Sequence, residues 1–142
     1  MNIEVNPFIM LEGTAREAIS FYQESLGAKL LFMQTVGEGP ADQENAPLSD
    51  EEKARIAHSV LRIGDTTMFV ADLEPGQTRQ TGNGLNLCIS TSDADTSGQL
   101  YNVLKEGGQV DIELGPAYFS PAYGMVTDRF GVTFQIFTKR QQ

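Results

Sequence analysis

The sequence predicts an α+β fold in which one βαβββ unit is used twice, and three observations carry that reading. An amphipathic helix pattern occurs twice, each time preceded by an apolar strand pattern and ended by glycine. Each helix is followed by three more strand patterns, the last two joined across a glycine-containing turn. The halves also align on one another: Tyr22 pairs with Tyr101 at an offset of 79, and Gly64 with Gly131 at an offset of 67. Residues 1–142 are therefore expected to form a single domain, with module one at about 1–72, a linker at about 73–84 and module two at about 85–142.

Residues 5–11 read as the first strand, with Pro7 marking an edge or a strand start because it has no N–H to donate. Thr14-Ala15-Arg16-Glu17 has the capping-box pattern, and Ala15, Ala18, Ile19, Tyr22 and Leu26 recur at helical spacing before Gly27 ends the helix. Residues 28–36 return as a strand. A polar loop then runs over 37–50, and Ser49 to Glu52 can cap one short helical turn. Residues 56–63 and 66–71 form a hairpin over Gly64-Asp65. After the linker, 85–91 is a strand and 93–106 a helix that ends at Gly107-Gly108. Residues 110–114, 123–127 and 132–137 supply the last three strands.

Composition excludes several classes of function. A formal net charge of -9 repels phosphate backbones and anionic lipid, so neither nucleic acid nor a membrane surface is an expected partner. The apolar runs are too short to cross a bilayer, and the N-terminus lacks a basic and apolar signal segment. Cys88, the single cysteine, has no disulfide partner within the chain, which fits a reducing cytoplasm. Gly-rich phosphate loops, serine nucleophile elbows and zinc spacings are missing.

Asn6-Pro7-Phe8, Ala18-Ile19-Ser20-Phe21-Tyr22 with Leu26-Gly27-Ala28, Ile56-Ala57-His58, and Gly124 to Val132 running into Phe134-Gln135-Ile136 together give the chain a family likeness. It resembles the vicinal oxygen chelate superfamily of glyoxalase I, extradiol dioxygenases, fosfomycin-resistance enzymes and bleomycin-binding proteins. Within that superfamily it is most similar to the PhnB-like, or 3-demethylubiquinone-9 3-methyltransferase-like, group. The resemblance implies a curved eight-stranded open barrel around a cavity, often in a homodimer. It leaves the chemistry open, because function lives in the site and not in the fold. The methyltransferase label finds no Gly-rich first turn to hold a methyl donor.

The resemblance also implies where a divalent ion would sit, on inward side chains of the first and last strand of each module. By the alignments above these positions are Pro7 and Asn86, with Asn6 in place of Pro7 if the register slips by one, and Met68 and Gln135. Proline and methionine offer a hard ion nothing, and neutral amides are weak ligands. No cofactor is therefore expected. Gln135, Asn86 and His58 remain the residues a metal would have to use.

Alternation puts Thr133, Gln135 and Phe137 on one face of the final strand, and Asn86, Cys88 and Ser90 opposite Leu85, Leu87 and Ile89 on an earlier one. His58, the lone histidine, is a candidate for hydrogen bonding or general base work. A two-residue turn at Gly64-Asp65 would set it on the face opposite Met68, and a three-residue turn on the same face. Cys88 is expected to pack as a small apolar group. Phe119, with Tyr118 and Tyr123, is a candidate for stacking on a planar ligand or for packing. The expected ligand pocket is thus His58, Asn86, Gln135, Cys88, Met68 and Phe119, and the expected function is cytoplasmic binding of a small organic ligand without a metal. A metal-dependent glyoxalase- or dioxygenase-like enzyme is the alternative.

Overall fold

A computed structural model describes residues 2–39 and 47–141; residues 40–46 of the predicted loop lie outside the described residues. The chain divides into two compact units between residues 80 and 81. Module one runs β1 (Phe8–Leu11), α1 (Ala15–Leu26), β2 (Lys29–Thr35), a 3-10 turn (Val36–Glu38), α2 (Asp50–Ala54), β3 (Ile56–Ile63) and β4 (Thr66–Asp72). Module two runs β5 (Leu87–Thr91), α3 (Ala94–Leu104), β6 (Gln109–Ala117), β7 (Ser120–Thr127) and β8 (Thr133–Thr138). Each forms its own four-stranded sheet, in the orders β1-β4-β3-β2 and β5-β8-β7-β6. In both sheets the first strand runs parallel to the last, and the other pairs are antiparallel. The repeated βαβββ unit is present in full.

In module one α1 packs Ala15, Ala18, Ile19 and Tyr22 against β2, β3 and β4. Ile9, Leu11, Ile56, Leu61, Met68 and Val70 are buried. Each such side chain contributes roughly 1.5–3 kcal/mol on leaving water. Gly27 takes the left-handed conformation that ends α1, with φ 65°, as its place in the sequence requires. The start of α1 differs from expectation. Thr14 makes no side-chain cap, and the amides are met from across the sheet by buried Asp72. One carboxylate oxygen accepts from Gly13 N (2.9 Å) and Ala15 N (3.0 Å), and the other accepts from Ile56 N (2.8 Å). The Ser49 cap does form, accepting from the Glu52 amide at 3.1 Å.

Module two buries Leu104, Val126, Phe134 and Ile136, with α3 packed on β5, β7 and β8. Where module one uses Asp72, module two uses hydroxyls. Thr91 Oγ1 lies 2.9 Å from the Asp93 carbonyl and 2.6 Å from Ser97 Oγ, which lies 2.6 Å from Thr138 Oγ1, itself 2.7 Å from the Ala122 carbonyl. Asp93 caps α3 by accepting from Thr96 N at 2.7 Å. Gly108 lies so close to β7 that a Cβ there would stand 2.1 Å from the Thr127 carbonyl oxygen. Asp128 holds the last turn, accepting from Phe130 N (2.9 Å) and Val132 N (3.0 Å).

Backbone bonding gives the true correspondence of the modules. Leu73 N donates to Leu11 O at 2.7 Å, and Lys139 N to Thr91 O at 2.9 Å. The first strands therefore align at 91 minus 11, an offset of 80, and the last strands at 139 minus 73, an offset of 66. The sequence-derived offset of 79 holds for the helices, which start at Ala15 and Ala94, but is wrong by one when carried onto the first strands, and 67 is wrong by one for the last strands. Asn86 corresponds to Asn6 and not Pro7, while Gln135 corresponds to Phe69 and not Met68. The first error arises because three residues separate β1 from α1 and two separate β5 from α3, and the second lies in the hairpin turns. Gly64-Asp65 is a two-residue turn between paired Ile63 and Thr66, whereas Asp128 to Val132 spans five residues between paired Thr127 and Thr133, so aligning the glycines flips the face.

Candidate functional site

The helix covers one face of each sheet, and the chemistry-bearing side chains lie on the other. In module two that face is built from β5, β8 and β7, where Cys88 pairs with Gln135, and Gln135 with Met125. Phe134 and Ile136 point into the core, which turns Thr133, Gln135 and Phe137 outward as alternation predicts. Gln135 is the hub. Its Oε1 accepts from Tyr123 Oη at 2.7 Å, and its Nε2 donates to Asn86 Oδ1 at 2.8 Å. The side chain is thus gripped at both ends of its amide, and a held amide offers directional bonds at low further entropy cost.

Beside this relay stands an aromatic group. Phe119, at the hairpin tip between Ala117 and Ser120, meets Tyr123 edge-on at 4.8 Å and lies parallel to Phe137 at 6.1 Å. A second polar chain centres on Asp111, whose carboxylate accepts from Gln109 Nε2 (2.7 Å) and from Thr127 Oγ1 (2.7 Å), with Thr133 Oγ1 2.8 Å beyond Thr127. The face therefore offers amide and hydroxyl groups next to ring surface. Tyr123 was foreseen only as a ring. Its hydroxyl bond to Gln135 follows from β7–β8 pairing, which sequence spacing alone does not set.

Module one places its predicted residues on two faces. The tight turn sets His58 opposite Met68, and Met68 is 2% exposed against α1 beside Leu61. Met68 is thus a core residue and is withdrawn from the expected pocket. His58 lies on the open face among Phe8, Phe32 and Phe69, three rings that sequence reasoning missed although the alternation of β1 and β4 placed Phe8 and Phe69 there. Cys88 departs from the packing expected of it: it is exposed, on the same face as Gln135. Leu85, expected to face the helix, precedes β5 and is 94% exposed.

The corrected correspondence also tests the donor set for a metal. First- and last-strand positions are Asn6 and Phe69 in module one, and Asn86 and Gln135 in module two. A phenyl ring ligates nothing. Asn6 commits its amide nitrogen to the Thr67 carbonyl at 3.0 Å, and Asn86 and Gln135 are bonded to each other. Among the described residues, no three His, Cys, Asp or Glu side chains stand together as an ion would require. The residues present do not fit a divalent ion.

A family model described as Glyoxalase/Bleomycin resistance protein/Dioxygenase superfamily matches residues 5–136. The chain belongs to that superfamily. Its relatives include protein YjdN of Escherichia coli K12, 27% identical over 97% of each chain. Among solved structures, protein PA1353 from Pseudomonas aeruginosa matches at 28% identity with a TM-score of 0.86, covering 99% of this chain and 100% of that one. A PhnB protein from Bacillus cereus shares the superfamily fold at 19% identity and a TM-score of 0.78, over 96% and 99% of the two chains. No described helix is long and apolar enough to cross a membrane.

Proposed function

We propose that this superfamily member is a metal-independent binding protein of the cytoplasm for a small, partly apolar organic molecule, held on the open face of module two. The supporting observation is Gln135, fixed by Tyr123 on one side and Asn86 on the other, with Phe119 and Phe137 beside it. Gln135 Nε2 keeps a second hydrogen, and Asn86 keeps its amide nitrogen, for a ligand carbonyl or hydroxyl. Rings supply area while amides supply direction, which is the usual division in small-molecule sites. A metal-dependent glyoxalase- or dioxygenase-like reaction is disfavoured by Phe69 at one of the four ligand positions and by the absence of carboxylate or imidazole at the others.

The test is thermal unfolding of chelator-treated protein with Mg, Mn, Fe, Ni or Zn ions, and separately with a panel of aromatic amides and phenols. A ligand that binds only the folded state raises the unfolding temperature by mass action. A rise with an organic compound that is lost in Gln135→Ala supports the proposal. A rise with one metal ion, lost in the same variant, overturns it.

A further inference from the structure

Module one carries a second constellation, independent of the Gln135 relay. Strand register sets its rows on the open face: Phe8 beside Phe69, Phe69 beside Val60, Val60 beside Phe32, and Gln34 beside His58. The His58 ring stacks on Phe69 at 5.6 Å and 24°, with Phe8 at 6.2 Å and Phe32 at 6.1 Å. Phe8 is 50% exposed and Phe32 49%, a large apolar area to leave in water. The packing of module one does not require it, because the core is on the other face.

The next row on the same face, two residues along β3, is Lys29, Arg62 and Thr67. Arg62 commits only its Nε, to the Gly64 carbonyl at 3.3 Å. Neither Arg62 nor Lys29 forms an ion pair among the described residues, although acidic side chains outnumber basic ones by 19 to 10 in this chain. Two uncommitted cations therefore stand beside an exposed aromatic patch.

We propose that this face binds a planar aromatic anion, its ring lying on Phe8, Phe32, His58 and Phe69 and its carboxylate, sulfonate or phosphate reaching Arg62 and Lys29. Same-face neighbours along a strand are about 6.8 Å apart, within the reach of an acid group on a two-ring arene when long cationic side chains lean toward it. The ring-faced patch favours flat arenes by offset or edge-on contact. The guanidinium fork supplies paired donors to the anion. A neutral arene leaves the cations unused, and a cationic one meets them with like charge.

The experiment uses 2-naphthoate, with 2-naphthamide as its uncharged counterpart. His58 is the only histidine, so the C2 proton of its ring is a single-site NMR reporter. Naphthoate is expected to shift that resonance saturably, and to bind more weakly as salt screens the exposed cations. Arg62→Gln with Lys29→Gln is expected to weaken naphthoate about tenfold and to leave naphthamide within about twofold. Phe69→Leu should weaken both; if it fails to fold, Phe8→Leu, at a half-exposed position, makes the same test. An unmoved His58 resonance overturns the site. Equal affinities for acid and amide overturn the anion assignment, and loss of naphthoate binding in Gln135→Ala moves the ligand to module two and overturns the inference while sparing the earlier proposal.

Discussion

Replacing Asp72 by asparagine keeps the shape of the side chain and removes one charge and one acceptor. In the native chain its two oxygens receive the amides of Gly13, Ala15 and Ile56, at 2.8–3.0 Å. The amide nitrogen of the substituted side chain would have to face one of those N–H groups, donor against donor. Leaving a buried donor without a partner costs about 1–3 kcal/mol. Losing a negative charge at the start of α1 adds about 0.3–1 kcal/mol. The sum, about 1–4 kcal/mol, corresponds to a fall in Tm of roughly 4–16 °C for a chain of this length. Asp72→Ala abandons all three amides, at roughly 3–9 kcal/mol by the same reasoning, comparable with the whole stability of a typical domain. The assay is equilibrium urea unfolding, with hydrogen exchange at Gly13, Ala15 and Ile56 to locate the effect. If Asp72→Asn unfolds within about 0.5 kcal/mol of the parent, the carboxylate is not what ties α1 to β3, and the reasoning fails.

Gly108→Ala sets a Cβ 2.1 Å from the Thr127 carbonyl, against backbone that cannot swing aside; a loss of about 3 kcal/mol or more in urea is expected, and a neutral result contradicts the close approach. Asp93 has its carboxyl held below the ordinary carboxylate range, chiefly by the Thr96 amide it accepts from. A depressed folded pKa gives a contribution that is present above the unfolded value and lost as pH falls through the folded one. Urea midpoints from pH 7 down to pH 3 should therefore fall less steeply for Asp93→Asn than for the parent, and equal slopes refute the assignment. The homodimer implied by family resemblance is expected to appear in light scattering at about twice the 15.5 kDa chain mass; a monomeric mass across the micromolar range overturns it.

Much of the fold was legible because burial imposes simple periods. The alternation of Phe134 and Ile136 with Gln135 read correctly, and so did the ends of β3 and the left-handed close of α1 at Gly27. Less was legible where partners come from far along the chain. The Thr14-Glu17 pattern promised a local cap, but none forms at Thr14, and Asp72, 57 residues beyond Ala15, holds the helix start through the Gly13 and Ala15 amides. The helix alignment held, but carried onto the strands it failed by one residue at both ends, since connections of unequal length carry no register. That single step exchanged Phe69 for Met68 and Asn6 for Pro7 at the positions that decide metal binding. It also hid the ring cluster around His58, whose members lie on β1, β2, β3 and β4. Asn86 and Gln135 were found because each follows the period of its own strand. Their bond to one another, and Tyr123 as third member, needed the pairing of β5, β8 and β7.

The buried hydroxyls of module two carry an arithmetic of their own. Thr91, Ser97 and Thr138 bring three hydrogens to a row of four contacts running from the Asp93 carbonyl to the Ala122 carbonyl. Thr91 gives its hydrogen to the Asp93 carbonyl and Thr138 gives its own to the Ala122 carbonyl, so Ser97 has one hydrogen for its two hydroxyl neighbours and can serve either one. The heavy atoms can thus stand still at the foot of α3 while the Ser97 hydrogen changes sides. What ties α3 to β5 and β8 is a row of hydroxyls with one hydrogen free to change sides, where module one has a single carboxylate, so the two halves of a duplicated unit hold their helices by different chemistry.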